Sequence, residues 1–186
     1  MKRILILANF DVGLYKFRKE LIQETLKKDY EVYISLPDGE LVRKLEKMGC
    51  KFINTPVDRR GINPKTDAKL MFFYRKLIKK LHPDLVITYT IKPNIYGGLM
   101  CRMLRVPYVV NITGLGTAFQ SENIVKKIVT FLYKIALKKA KVVFFENVGN
   151  KQIFLDLHIL KESQICVLNG AGVNLGEYPF CEYPSE

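Results

Sequence analysis

Short, continuous apolar runs alternate along this chain with longer stretches in which apolar positions recur every three or four residues. The runs at 4–10, 31–36, 51–54, 85–88, 108–112, 142–145 and 165–168 read as strands, the first as one fully buried by its continuous apolar run. Between them, helical periodicity predicts helices over 14–28, 40–47, 67–81, 94–104, 122–139 and near 150–157. Phe17, Leu21, Thr25 and Leu26 are assigned to one side of the first helix, and Leu41, Val42 and Leu45 to the buried face of the second. Turn chemistry agrees with this division. Pro37-Asp38-Gly39 ends the second strand, Gly49 caps the second helix, His82-Pro83 stops the third, and Ser121 is placed as an N-cap. About seven strands alternating with helices predict an α/β fold, a Rossmann-like doubly wound parallel sheet. Residues 1–170 read as that domain. Residues 171–186 lose the periodicity and carry glycine and proline, so they read as the start of an interdomain linker.

In an open parallel sheet, the loops leaving the C-terminal strand ends line the ligand crevice. Two consecutive loops of this kind are rich in polar and glycine residues, one running from Thr88 to Gly98 and the other from Asn111 to Phe119. Thr88, Thr90, Asn111, Thr113, Gly114, Gly116 and Thr117 are therefore candidates for a cleft wall. A tight strand-to-helix turn without a ligand is the alternative for the glycines, but Asn111, Thr113 and Thr117 add amide and hydroxyl groups to the same short loop and favour a ligand. Gly13 follows the first strand and precedes a helix, where backbone amides can meet a phosphate. Taken alone it serves equally as a turn glycine. Arg59, Arg60 and Lys92 fall in loops after strands and are candidate phosphate contacts, with Asn63 and Asn94 beside them.

Composition narrows the class of function. The 186 residues carry 30 basic and 18 acidic side chains, a formal charge of +12, which favours an anionic partner: nucleic acid, an anionic membrane or a phosphate-bearing ligand. No helix-turn-helix, zinc-finger or RNP signature is present, so nucleic acid ranks below a phosphorylated or lipid-linked ligand. G-x-G-x-x-G and G-x-x-x-x-G-K-[ST] are both missing, which weakens a nicotinamide cofactor and argues against a P-loop. Cys50, Cys101, Cys166 and Cys181 form no C-x-x-C pair, and His82 and His158 do not cluster, so no metal site is expected and His158 is read as packed. No run approaches the ~20 apolar residues of a membrane span. The predicted helix after the second loop has Ile124, Ile128, Phe131, Leu132 and Ile135 on one side and many lysines elsewhere. It is either a basic amphipathic helix for anionic lipid or a core helix with a lysine-rich outer face, the second being the commoner case.

Leu14 to Leu21, Asp58-Arg59-Arg60-Gly61-Ile62-Asn63-Pro64, Thr88 to Gly98 and Thr113-Gly114-Leu115-Gly116-Thr117, in this order, resemble the N-terminal half of bacterial family-4 glycosyltransferases. Asn169-Gly170-Ala171-Gly172-Val173-Asn174 resembles the segment that ends that half. The nearest branch extends polyprenyl-diphosphate-linked sugars for capsule, O-antigen or glycoprotein glycans. The resemblance implies a GT-B fold, with an acceptor-binding N-terminal domain and a C-terminal domain that holds a nucleotide-sugar donor, here expected to be a UDP-sugar. It implies metal-independent, retaining transfer with no further cofactor, at the inner face of the cytoplasmic membrane. Gly13 then matches the glycine near the donor diphosphate, and Arg59, Arg60, Asn63, Lys92 and Asn94 fall to the acceptor side. Thr113 stands where many relatives have a histidine, so that histidine's role does not transfer and the catalytic residues are unassigned. The donor-site Arg/Lys pair and the E-x7-E motif belong to a C-terminal domain expected to be absent here, so the isolated chain is expected to be inactive. The alternative is a non-catalytic module docking on an anionic membrane or a partner subunit.

Overall fold

A computed structural model describes residues 1–55, 57, 63–119 and 124–182. Seven strands form one sheet: β1 (Arg3–Leu7), β2 (Glu31–Leu36), β3 (Lys51–Asn54), β4 (Leu85–Tyr89), β5 (Tyr108–Ile112), β6 (Val143–Phe145) and β7 (Ile165–Val167). All pair in parallel, in the order β3-β2-β1-β4-β5-β6-β7. The helices are α1 (Asp11–Lys27), α2 (Val42–Lys47), α3 (Pro64–Leu81), α4 (Gly98–Leu104), α5 (Ile124–Leu137) and α6 (Val148–Asp156). This is the doubly wound α/β sheet that the alternating pattern predicts, and its order reverses between β1 and β4.

Side chains on a strand point alternately to opposite faces, and β1 shows why both faces are covered. Ile4 and Ile6 pack with Leu14 and Ile22 of α1 and Val42 and Leu45 of α2. Leu5 and Leu7 join the larger cluster with Tyr74, Met100, Leu137 and Phe154 of the remaining helices. A strand buried on both sides has no polar positions to place, hence the unbroken apolar run.

Several boundaries move for local reasons. Helix α1 begins at Asp11, so Gly13 lies inside its first turn and not in the preceding loop. Its buried residues include Leu14 and Ile22, while Phe17 and Leu21 are exposed, contrary to the assigned face. Asn63 caps α3 by accepting a bond from the Lys65 amide at 3.0 Å, so α3 starts at Pro64. The helix expected from Asn94 begins as a π-helical turn over Pro93–Gly97. Gly97 allows this close approach to the sheet, since a Cβ there would lie 2.6 Å from Leu7 Cδ1. His82 ends α3 in the left-handed region, and Gly49 (φ +110) follows α2. His158 is exposed, not packed, and its φ of 51 turns the chain after α6. Ser121, the expected cap of α5, lies outside the described residues. The segment after β7 is exposed but not detached: Glu177 pairs with Lys19 of α1, and Asn174 reaches Glu20 at 3.4 Å.

Candidate functional site

At the C-terminal ends of β1, β4, β5 and β6, a cleft of about 230 Å³ opens beside the first turns of α1. Gly13, Thr90 and Thr113 all line it, so three residues singled out in separate loops converge there. Asn9 and Phe10 from the end of β1, Phe17 and Arg18 from α1, and Tyr89 from β4 complete much of the wall.

The charged feature of the cleft is an ion pair between Arg18 and Glu146, which immediately follows β6. The Arg18 guanidinium also lies over the Tyr89 ring, 5.2 Å from its centroid, an arrangement that suits a planar cation. Burial pushes the Tyr89 phenol above its ordinary range, and Arg18 opposes that rise. With the arginine charge matched by a carboxylate, this part of the cleft is close to neutral. Its aromatic walls and hydrogen-bonding edges suit a polyhydroxylated ring better than a bare diphosphate. Asn9 lines the same wall, and among the described residues its buried Oδ1 has no hydrogen-bond partner.

Thr90 has a left-handed backbone (φ 71), an uncommon state for a β-branched residue. Such strain clusters where a site demands a fixed backbone. Gly13 sits against Phe10, whose ring carbon would be 3.0 Å from an added Cβ. In the same first turn, the Asp11 carboxylate accepts bonds from the Val12 amide (2.8 Å) and the Leu41 amide (2.7 Å). Negative charge therefore already occupies the helix end at which Gly13 was expected to admit a phosphate.

The remaining candidates divide. Thr88, Asn94 and Asn111 are buried. Asn94 donates to the Asn111 carbonyl at 2.9 Å and Asn111 reaches the Thr88 carbonyl, so these residues join β4, β5 and the π-helical turn. Lys92 is bound to Asp67 of α3 at 2.7 Å, with both side chains largely covered. Asn63 is engaged as the α3 cap. Gly114 and Gly116 stand in the loop beyond Thr113, where Gly116 takes φ +61, and Thr117 opens a 3-10 turn over Thr117–Phe119. Arg59 and Arg60 lie outside the described residues. Sequence reasoning missed Asn9, Arg18, Tyr89 and Glu146. Three of them could have been found by the strand-end rule that selected Thr90 and Thr113, since Asn9, Tyr89 and Glu146 close or follow strands. Arg18 carries no such signal.

Among the described residues no group of three or more His, Cys, Asp or Glu is arranged to hold a metal, and no helix is long and apolar enough to cross a membrane. Burial raises the Cys50 and Cys101 thiols to about 11 and about 12, away from nucleophilic use at neutral pH.

Comparison with known proteins decides the family. A family model described as "Glycosyl transferase 4-like" matches residues 3–147. The chain belongs to this glycosyltransferase family. A curated relative from Campylobacter jejuni, an N,N'-diacetylbacillosaminyl-diphospho-undecaprenol alpha-1,3-N-acetylgalactosaminyltransferase, is 30% identical over 181 residues, covering 95% of this chain and 48% of its own length. Among solved structures, a glycosyltransferase from Rickettsia africae aligns over 96% of this chain and 45% of its own, at 22% identity and a TM-score of 0.73. HepE from Anabaena, in complex with UDP and glucose, aligns over 96% and 46%, at 15% identity and a TM-score of 0.66. A UDP-N-acetylglucosamine 2-epimerase aligns as well, with a TM-score of 0.65 and 13% identity, so the architecture alone does not select transfer over epimerisation. The glycosyltransferase 4-like chain spans about half the length of these relatives.

Proposed function

We propose that this chain forms the acceptor-binding half of a glycosyltransferase that moves a sugar from a nucleotide-sugar donor to a polyprenyl-diphosphate-linked glycan. The observation that carries this reading is the cleft at the strand ends. There Asn9 and the Glu146 carboxylate stand among the Phe10, Phe17 and Tyr89 rings. Hydrogen-bond acceptors set among aromatic faces are the groups that hold a sugar. The name of the Campylobacter relative supplies the lipid-diphosphate carrier. The charge of +12 suits the anionic carrier and an anionic membrane from which it is presented.

In this reading the acceptor's terminal sugar occupies the cleft, and its diphosphate is met by Arg59 and Arg60. A second domain binds the nucleotide-sugar donor, and a UDP-sugar is the expected donor. Transfer is retaining and needs no metal. Thr90 and Thr113 position sugar hydroxyls. The glycan made belongs to capsule, O-antigen or glycoprotein synthesis at the inner face of the cytoplasmic membrane.

Titration calorimetry of the chain with a short-prenyl diphosphate sugar, against the same prenyl diphosphate lacking the sugar, tests the assignment. The sugar should tighten binding about tenfold, and Asn9→Ala and Glu146→Gln should each remove most of that gain. Equal affinity for both compounds sinks it.

A further inference from the structure

The chain carries a formal charge of +12, yet its cleft does not share that excess. Among the described residues that line it, Arg18 and Glu146 are the only charged ones, and they neutralise each other. Arg18 is held from three directions. One terminal nitrogen donates to the Phe17 carbonyl at 2.9 Å, the other donates to Glu146 Oε1, and the guanidinium lies over the Tyr89 ring. Glu146 is placed just as firmly. It directly precedes Asn147, the N-cap of α6, whose side chain accepts from the Asn150 amide at 2.7 Å. Both charged side chains are largely covered, so water screens neither of them well.

We propose that the Arg18–Glu146 pair makes the cleft selective for charge: it admits an uncharged sugar ring and refuses one that bears a carboxylate. Glu146 is the residue that sets this specificity. A neutral sugar leaves the pair intact, because a carboxylate bonded through one oxygen to a guanidinium keeps lone pairs for a ligand hydroxyl. A uronic acid has two ways in. It stands beside Glu146, like charge against like charge, or it displaces Glu146 from Arg18 and strands that carboxylate where it is poorly hydrated. No further cation in the described wall offsets either cost. The attraction that the basic chain exerts on anions therefore acts on the carrier diphosphate outside the cleft, not on the sugar within it. The inference rests on the acceptor reading of this cleft, and it adds the class of sugar that the cleft takes.

Titration calorimetry of the full 186-residue chain with three ligands tests it. All three carry the same short prenyl diphosphate, so attraction to the diphosphate cancels between them. The sugars are N-acetylglucosamine, its C6 uronic acid and glucosamine, the last at about pH 6.5, where an ordinary amine is charged. The parent should bind N-acetylglucosamine at least about tenfold tighter than the uronic acid. Glu146→Gln keeps the shape and frees the Arg18 charge, so it should bind the uronic acid about tenfold tighter than the parent does. Arg18→Gln should show the reciprocal gain, about tenfold for the ammonium sugar. Each single variant strands a charge, whereas Arg18→Gln with Glu146→Gln strands none. That double variant should fold even where a single one does not, and should bind the uncharged and acidic sugars alike. A parent that binds the uronic acid as tightly as N-acetylglucosamine overturns the proposal. So does a Glu146→Gln or double variant that still refuses the uronic acid, since shape and not charge then excludes it, and so does an Arg18→Gln variant with no gain for the ammonium sugar. The sugar-free prenyl diphosphate separates the two readings. If all three sugars tighten binding equally over it, charge selection alone is wrong; if none does, the acceptor assignment falls as well.

Discussion

Arg18 in α1 and Glu146 after β6 are joined by an ion pair across 128 positions of the sequence. The pair links the first helix to the end of the sixth strand and forms one side of the cleft. Its side chains are only 11% and 22% exposed, so removing one charge leaves the other in a poorly hydrated place. Arg18→Ala is expected to lower unfolding stability by about 2–4 kcal/mol, more than a surface pair would. Arg18→Lys keeps the charge but loses the planar contact with Tyr89, and should cost about 1 kcal/mol. Urea unfolding of the three proteins checks the order, and equal midpoints would contradict it.

Lys92 and Asp67 make a second largely covered pair, at 2.7 Å, between the loop after β4 and the start of α3. A lysine held this way has a structural task whatever ligand arrives. Lys92→Met should therefore destabilise the chain by about 1–3 kcal/mol, and Asp67→Asn in the same background should recover part of the loss by removing the stranded charge. A double-mutant cycle by thermal or chemical unfolding measures the coupling. Additive losses would show that the pair contributes nothing.

The strands were the most legible part of the sequence, because the apolar runs of the covered inner strands stand apart from the helical periodicity around them. Residues 108–112 were read without a shift. Helix faces were harder. The periodicity of α5 identified a stripe, but the helix is apolar on two sides, and nothing local says which side meets the sheet. On α1 the true buried stripe includes Asp11 and Lys19, polar residues that pattern reading sends outward. Asp11 is covered because it ties the start of α2, and Lys19 because it meets Glu177. The cleft was half legible. Thr90 and Thr113 follow from where strands end, while the approach of Arg18 to Glu146 depends on how α1 lies across the sheet.

Cysteine reactivity should follow burial. Cys181 is exposed and Cys166 intermediate, while Cys50 and Cys101 are covered and their thiols are raised to about 11 and about 12. A neutral aromatic disulfide reagent at mildly alkaline pH should label Cys181 first and Cys166 more slowly. Cys50 and Cys101 should react only as the chain unfolds. Mass spectrometry of native and denatured samples gives the order, and early labelling of Cys101 would contradict the packing around α4.

Acid should weaken the edge of the sheet through Glu31. Hydrogen bonds from Lys51 and from Arg3 hold its carboxyl below the ordinary value of 4.5, so Glu31 bridges β1, β2 and β3 only while ionised. Because the folded pKa is depressed, this contribution is complete above the unfolded value and is lost as the pH falls through the folded one. Glu31→Gln should therefore be less stable than the parent at neutral pH, and the difference should shrink below the ordinary carboxyl range. Thermal melts at about pH 7 and about pH 3 test the sign. A gap that widens in acid is the contrary result.

Thr90 carries the last prediction. A β-branched residue at φ 71 stores backbone strain, and asparagine tolerates this region better. Thr90→Asn should raise stability by about 1 kcal/mol, or roughly 2–4 °C in melting temperature for a chain of this size. If the strain serves the cleft, the same substitution should weaken binding of the prenyl-diphosphate sugar, because the threonine side chain no longer lines it. Stability gained with affinity intact would show that the strained turn is an accident of the strand end. Stability lost would show that the Thr90 hydroxyl, which donates to the Tyr89 carbonyl, outweighs the strain.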